Sequence, residues 1–338
     1  MGSSAPAGPT KPRQRPKGQF AALPNLGESQ AKEQKPGEVN MRRLAIVIHC
    51  VIGLALSACA RPELPWSQLE SRYAGPASRY MDLPNGVRVH YRDEGERGGR
   101  PIVLVHGFAA SLHAWEPWVA RLSPDYRVIS LDLAGHGLTR TPQGYRISTE
   151  GQVALVDAVT RKLGVERFVL GGNSMGGAVA WSYALAHPQR LQGLVLVDAA
   201  GWPVEGKREG APPAFKLLAN PVGRAVLKSI DLRSIAEKGL KQAYLDETLV
   251  TDELVDRYAD LALAPGRREL ILNSQARPRE PVTRATFAKI NLPTLVRTGE
   301  QDKVIPASDS RGLAGAIPGA KLITYAGVGT FQIGRAHV

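Results

Sequence analysis

The stretch Phe168-Val169-Leu170-Gly171-Gly172-Asn173-Ser174-Met175-Gly176-Gly177 constrains this chain more than any other. A short apolar run leads into Gly172-x-Ser174-x-Gly176, and a helical pattern follows at once. A serine presented at the end of a strand has to sit in a strained turn. Glycines two residues before and two after let the backbone fold back without Cβ clashes. The following helix aims its N-terminal amides at the same point, where they favour developing negative charge. Ser174 is therefore the candidate nucleophile. The alternative is a glycine-rich strand-to-helix turn with an unreactive serine, and the rest of the chain has to decide between them.

From about residue 78 the pattern alternates strands and helices. Arg79 to Leu83 and Val87 to Asp93 read as strands joined at Pro84-Asn85-Gly86, a hairpin signal. Pro101 to Val105 is a continuous apolar run, as in a strand buried on both faces. Further strands are expected at Arg127 to Leu133, Phe168 to Leu170, Leu194 to Val197, Pro293 to Arg297 and Lys321 to Tyr325. Helices are expected around Trp115 to Leu122, Gly151 to Leu163 and Met175 to Ala186. Repeated strand–helix units predict an α/β fold with a mostly parallel sheet and helices on both faces.

Four short motifs follow one another in order: His106-Gly107-Phe108, Asp132-x-x-Gly135-His136-Gly137, the serine turn, and Gly299-Glu300-Gln301-Asp302. In this order and spacing the chain resembles the α/β-hydrolase superfamily over roughly residues 78–330. The resemblance implies a core in two parts, 78–200 and 289–332, with a helical cap inserted at 201–288. Helical patterns there (214–218, 225–230, 253–262 and 267–273) are broken by Pro213, Pro221 and Pro265.

The ends read differently. Residues 1–40 are rich in Pro, Gly, Lys, Gln and Ser with almost no apolar periodicity, a disordered or misassigned upstream extension. Met41-Arg42-Arg43, the apolar run Leu44 to Leu56 and Ser57-Ala58-Cys59 form a signal peptide over 41–59. Leu56-Ser57-Ala58-Cys59 resembles the bacterial lipobox, which makes Cys59 the expected lipid carrier and a membrane an expected partner. That would place the protein in the bacterial cell envelope. Residues 60–77 read as a polar tether. The last six residues, 333–338, look like a non-native tail, since common sequencing-adapter bases encode them.

Net charge is +12, of which the first 43 residues contribute +5. The remaining charges are scattered, without the basic stripe and interleaved aromatics of a nucleic-acid binder. No nucleic-acid partner, cofactor or metal is expected; besides the membrane, the expected partner is a small-molecule ester or acyl substrate.

A serine hydroxyl needs a base in hydrogen-bond reach and an acid to orient that base. By resemblance, Asp302 is the acid, with Asp198 in reserve, and the amides of Met175 and Phe108 form the oxyanion hole. Asp132 and His136 are read as structural. The family's catalytic histidine is missing: Thr330 stands at its expected position, and the only later histidine is His337. Threonine cannot take a proton near neutrality, so little turnover is expected. Cleavage of a carboxylic ester through an acyl-enzyme is the first reading. A C–C bond hydrolase of the ring-cleavage type is the second, because Gly172-Asn173-Ser174-Met175-Gly176-Gly177 resembles that group's turn. Against it, the loop after His106-Gly107 lacks an expected stretch bearing glycine and asparagine. A hydrolase-fold binding protein without activity is the third. Trp115, Trp118 and Trp202 are candidates for the pocket wall or, equally, for buried packing.

Overall fold

A computed structural model describes residues 61–203, 222–224, 231–274 and 282–329. Cys59, Thr330 and His337 lie outside the described residues, as do the signal at 41–59, the tail at 333–338 and the helical patterns at 214–218 and 225–230.

The first described element departs from the sequence reading. Within 60–77, expected to be a tether, Trp66–Tyr73 forms helix α1. Pro65 precedes its first turn, where a missing amide costs nothing. Leu69 is fully buried against Leu138, Leu261 and Ala264, which is what a tether would lack.

Eight strands form one sheet in the order β1-β2-β4-β3-β5-β6-β7-β8. β1 (Ser78–Asp82) and β2 (Arg88–Gly95) form the antiparallel edge. β3 (Arg100–Val105), β4 (Tyr126–Leu131), β5 (Phe168–Asn173), β6 (Leu191–Val197), β7 (Thr294–Gly299) and β8 (Lys321–Tyr325) pair in parallel. Alternation along each strand sends side chains to opposite faces. Val103 and Val105 join the larger apolar cluster with Phe168, Leu170 and Leu196, while Leu104 joins a second one with Trp115, Trp118, Val128 and Val197.

Helix α2 (Glu116–Leu122) supplies Trp118 and Val119 to the second cluster. Helices α3 (Thr149–Lys162) and α4 (Met175–Ala186) cover the other face. Between β6 and β7 the cap carries α5 (Arg233–Ala243), α6 (Asp252–Ala262) and α7 (Arg267–Ser274). The short α8 (Arg284–Phe287) falls inside the expected cap but belongs to the core. Its Phe287 is fully buried, edge-on to Trp181 at 5.2 Å. Helix α9 (Ala307–Ala316) follows β7. No helix among the described residues is long and apolar enough to cross a membrane.

Candidate active site

Ser174 sits between the end of β5 and the start of α4 with φ +51° and ψ −115°. Among the described residues only Ala109, Ser174 and Asp198 combine a side chain with positive φ. They follow β3, β5 and β6, so the strain gathers at the carboxyl end of adjacent strands. Such residues cost about 1–3 kcal/mol each and persist where the surroundings dictate them. Here the dictation is close packing. A Cβ at Gly172 would lie 2.2 Å from the Gly176 carbonyl oxygen, and one at Gly176 would lie 2.3 Å from that of Val105. The Ser174 amide donates to Val197 O (3.0 Å), and its carbonyl accepts from the amides of Ala178 (3.1 Å) and Ala200 (2.9 Å). The backbone of the turn is thus fixed, while the serine side chain stays half-buried.

Met175 is the first residue of α4, so its amide is one of four without an intrahelical acceptor. The backbone at Gly107 passes so near that a Cβ there would lie 3.3 Å from that of Ser174. The expected oxyanion donors, the amides of Met175 and Phe108, therefore belong to segments that meet at the serine.

The histidines of the first two motifs hold loops. His106 is fully buried; its Nδ1–H donates to Gly107 O (2.8 Å), and its Nε2 accepts from the Leu133 amide (3.1 Å). Burial lowers its pKa, so the neutral tautomer these bonds require is the stable one. Asp132 takes the amides of Leu112 and Leu138, each at 2.7 Å, and Nδ1 of His90 at 2.7 Å. Burial opposes its charge, but the His90 hydrogen bond holds it below the ordinary carboxylate range. His136 Nδ1–H donates to Ala134 O (3.2 Å), and burial pushes its pKa down to about 3. These placements match the structural roles expected for Asp132 and His136.

Asp302 is buried, and its Oδ1 accepts from the amides of Val304 (2.7 Å) and Ile305 (2.8 Å). Asp198, the reserve, is fully buried at the end of β6, and its Oδ1 accepts from the Gly299 amide (3.1 Å). Burial, then the Asp302 charge beside it, raises its pKa well above the usual value. Of the two carboxyls, Asp198 is the one whose charge burial disfavours.

Among the described residues no histidine hydrogen-bonds Ser174. The loop after β8 runs past the end of β7, since a Cβ at Gly299 would lie 2.1 Å from Val328 O. Position 330 follows directly and lies outside the described residues.

Beside the serine turn lies a cavity of about 80 Å³, with Asn173 and Val197 on the core side and Leu254, Arg257 and Tyr258 of α6 on the cap side. Trp115 and Trp118 line it as expected; Trp202 instead packs at 5.6 Å on Phe287 and is not part of it. His113 also lines it, donating from Nε2 to Tyr73 O (2.9 Å) and accepting at Nδ1 from Ser111 (3.0 Å). Burial lowers its pKa to about 4, so it is neutral at physiological pH. Arg257 is half-buried and makes no hydrogen bond or ion pair with any described residue. The indole N–H groups of Trp115 and Trp118 are buried and equally unpartnered. Sequence reading did not single out Arg257. The signal was the spacing of Leu254, Arg257, Tyr258 and Leu261, which puts an arginine on an otherwise apolar helix face.

A mostly parallel sheet in this strand order, a strained serine between β5 and α4 and an inserted cap define a class. The family model for the alpha/beta hydrolase fold matches residues 100–333. The chain belongs to that family, whose curated relatives are hydrolases, and it is a hydrolase-fold enzyme. It is 30% identical to a 2-hydroxy-6-oxo-2,4-heptadienoate hydrolase of Pseudomonas putida over 254 residues, 72% of this chain and 87% of that one. It is 27% identical to Lipase 1 of Psychrobacter immobilis over 74% of this chain and 77% of that one. Among solved structures it resembles a meta-cleavage product hydrolase from Pseudomonas fluorescens, with a TM-score of 0.63 and 26% identity, covering 75% of this chain and 91% of that one.

Proposed function

We propose that this chain hydrolyses a C–C bond next to a ketone in a small substrate that carries a carboxylate, a dienol-keto acid of the ring-cleavage type. The observation that carries this reading is Arg257: a half-buried guanidinium without a hydrogen-bond or ion-pair partner among the described residues, in a cavity beside the serine turn. Keeping an unpaired cation away from bulk water costs free energy unless an anion completes it. A cavity of about 80 Å³ is large enough to take a carboxylate and its attached carbon. Similarity to hydrolases named for 2-hydroxy-6-oxo-dienoates supports the same choice. It moves the C–C reading ahead of the ester reading that the sequence put first.

In this reading Arg257 anchors the carboxylate and the ketone lies over Ser174. The serine oxygen adds to the ketone carbon as its hydroxyl proton passes to water, the same proton count being restored when the dienolate is protonated. The Met175 and Phe108 amides take the charge on the former ketone oxygen. Such donors are worth about 3 kcal/mol each. The C–C bond then breaks, its electron pair leaves as a dienolate that takes up a proton, and water hydrolyses the acyl ester. No base stands beside Ser174 among the described residues; a histidine at position 330, where this chain has Thr330, is the group Asp302 would orient.

Ester cleavage is the second reading, favoured by the similarity to a lipase. Comparing kcat/KM for a dienol-keto acid with that for an uncharged aryl ester separates the two. The C–C reading expects the acid to be preferred; preference for the ester overturns it. Lipid anchoring at Cys59 stays part of the proposal, on the strength of Leu56-Ser57-Ala58-Cys59 alone. Metabolic labelling with a fatty acid, lost on Cys59→Ser, tests it.

A further inference from the structure

The segment ahead of the hydrolase core lies across the seam between cap and core. Asp260 of α6 is buried, yet it accepts three donors from that segment: Arg72 Nη1 at 2.6 Å, the Tyr73 hydroxyl at 2.9 Å and Arg61 Nη2 at 3.4 Å. The backbone repeats the connection, with the Leu64 amide donating to Leu263 O at 2.9 Å and Glu63 accepting from the Gly266 amide at 2.9 Å. Nearby, the buried Arg267 donates to Gly137 O (2.6 Å) and Thr139 O (3.0 Å) of the core and stacks on Trp66 of α1.

Tyr73 is the joint. Its hydroxyl reaches Asp260 on the cap, and its carbonyl accepts from His113 on the core wall of the cavity. Asp260 lies one helical turn beyond Arg257 on α6. One residue of the strap therefore ties together the two walls between which Arg257 and His113 stand.

We propose that residues 61–74 form a strap that sets the position of α6 and so of Arg257, with Asp260 as the positioning residue. This rests on the reading that Arg257 receives a substrate carboxylate. Charge-assisted bonds onto a buried acceptor are strong and directional, unlike surface ion pairs. Arg61 and Arg72 are each more than a third exposed, so the leverage belongs to the buried Asp260. Without its charge the strap keeps its apolar contacts, but α6 loses the bonds that fix its turn beside the cavity.

The test uses the full chain with Asp260→Asn, assayed on a dienol-keto acid and on its methyl ester. KM for the acid should rise about tenfold, the scale of coupling through packed networks, with kcat held within about twofold. KM for the methyl ester should stay put, and amide exchange in α6 should quicken. An equal loss on acid and ester, or an unchanged acid KM, overturns the proposal. If Asp260→Asn does not fold, Arg72→Gln on the half-exposed donor replaces it, with the same expectations. A different failure is separable: if Arg257→Gln leaves the acid KM unchanged while Asp260→Asn still loosens α6, the substrate reading fails and the strap stands.

Discussion

Asp132 Oδ2 lies 2.7 Å from Nδ1 of His90, a residue 42 positions earlier, with both side chains fully buried. The pair binds the antiparallel edge of the sheet to the loop at Asp132-x-x-Gly135-His136-Gly137. A Cβ at Gly137 would lie 1.9 Å from the carboxyl carbon of Asp132, which explains the last glycine of that motif. Asp132→Asn removes the charge from a buried, saturated acceptor and should cost about 3 kcal/mol, the scale for breaking a buried pair. The folded-state pKa of Asp132 is depressed, so its contribution is present above the unfolded value near 4 and fades as pH falls below it. Urea denaturation at several pH values should show the gap between the two proteins closing in acid.

The buried imidazoles predict acid sensitivity at milder pH. His106, His113 and His136 are all held neutral by burial, the last two with values near 4 and 3. The unfolded chain binds protons on these side chains below about pH 6.5 and the folded chain does not, so stability falls as pH drops through that range. Each adds up to about 1.4 kcal/mol per pH unit. His113→Gln should reduce the slope of stability against pH between 6 and 4 by about one proton.

Two glycines should respond oppositely to alanine. Gly172→Ala places a methyl 2.2 Å from a carbonyl oxygen at the serine turn and should cost more than about 3 kcal/mol or abolish folding. Gly239 lies within α5, where a Cβ meets nothing within 4 Å, and Gly239→Ala should stabilise by about 0.5–1 kcal/mol. Thermal melts of the two variants check both signs.

The serine turn was legible because its signals are local. Glycines, the preceding apolar run and the following helix all act within ten residues, and Met175–Ala186 forms the helix expected there. What escaped the sequence depends on partners far along the chain. Helix α1 lies in a proline-flanked polar stretch, and the Arg72–Asp260 pair that secures it spans 188 positions. Helix α5 has a glycine near its middle and few apolar residues, so packing rather than propensity maintains it. Arg257 carries no motif; only the cavity reveals its position.

Thr330 bears on rate. The loop at 326–329 runs beside the end of β7, just before Asp302, and the family pattern expects a histidine at 330. Supplying a general base is worth about 100-fold to 10,000-fold. Thr330→His should therefore raise kcat at least about 100-fold, with the gain abolished by Ser174→Ala. Steady-state turnover of the three proteins decides it.

The substrate reading rests on one cation. Arg257→Gln keeps much of the side-chain volume and removes the charge, so the affected substrate should be the one with a carboxylate. KM measured for a dienol-keto acid and for its methyl ester, in the unaltered chain and in Arg257→Gln, tests this most directly. The predicted result is a rise of about tenfold or more for the acid, the scale of a lost charge-assisted hydrogen bond, with the ester unchanged. Equal values for acid and ester in both proteins would contradict it.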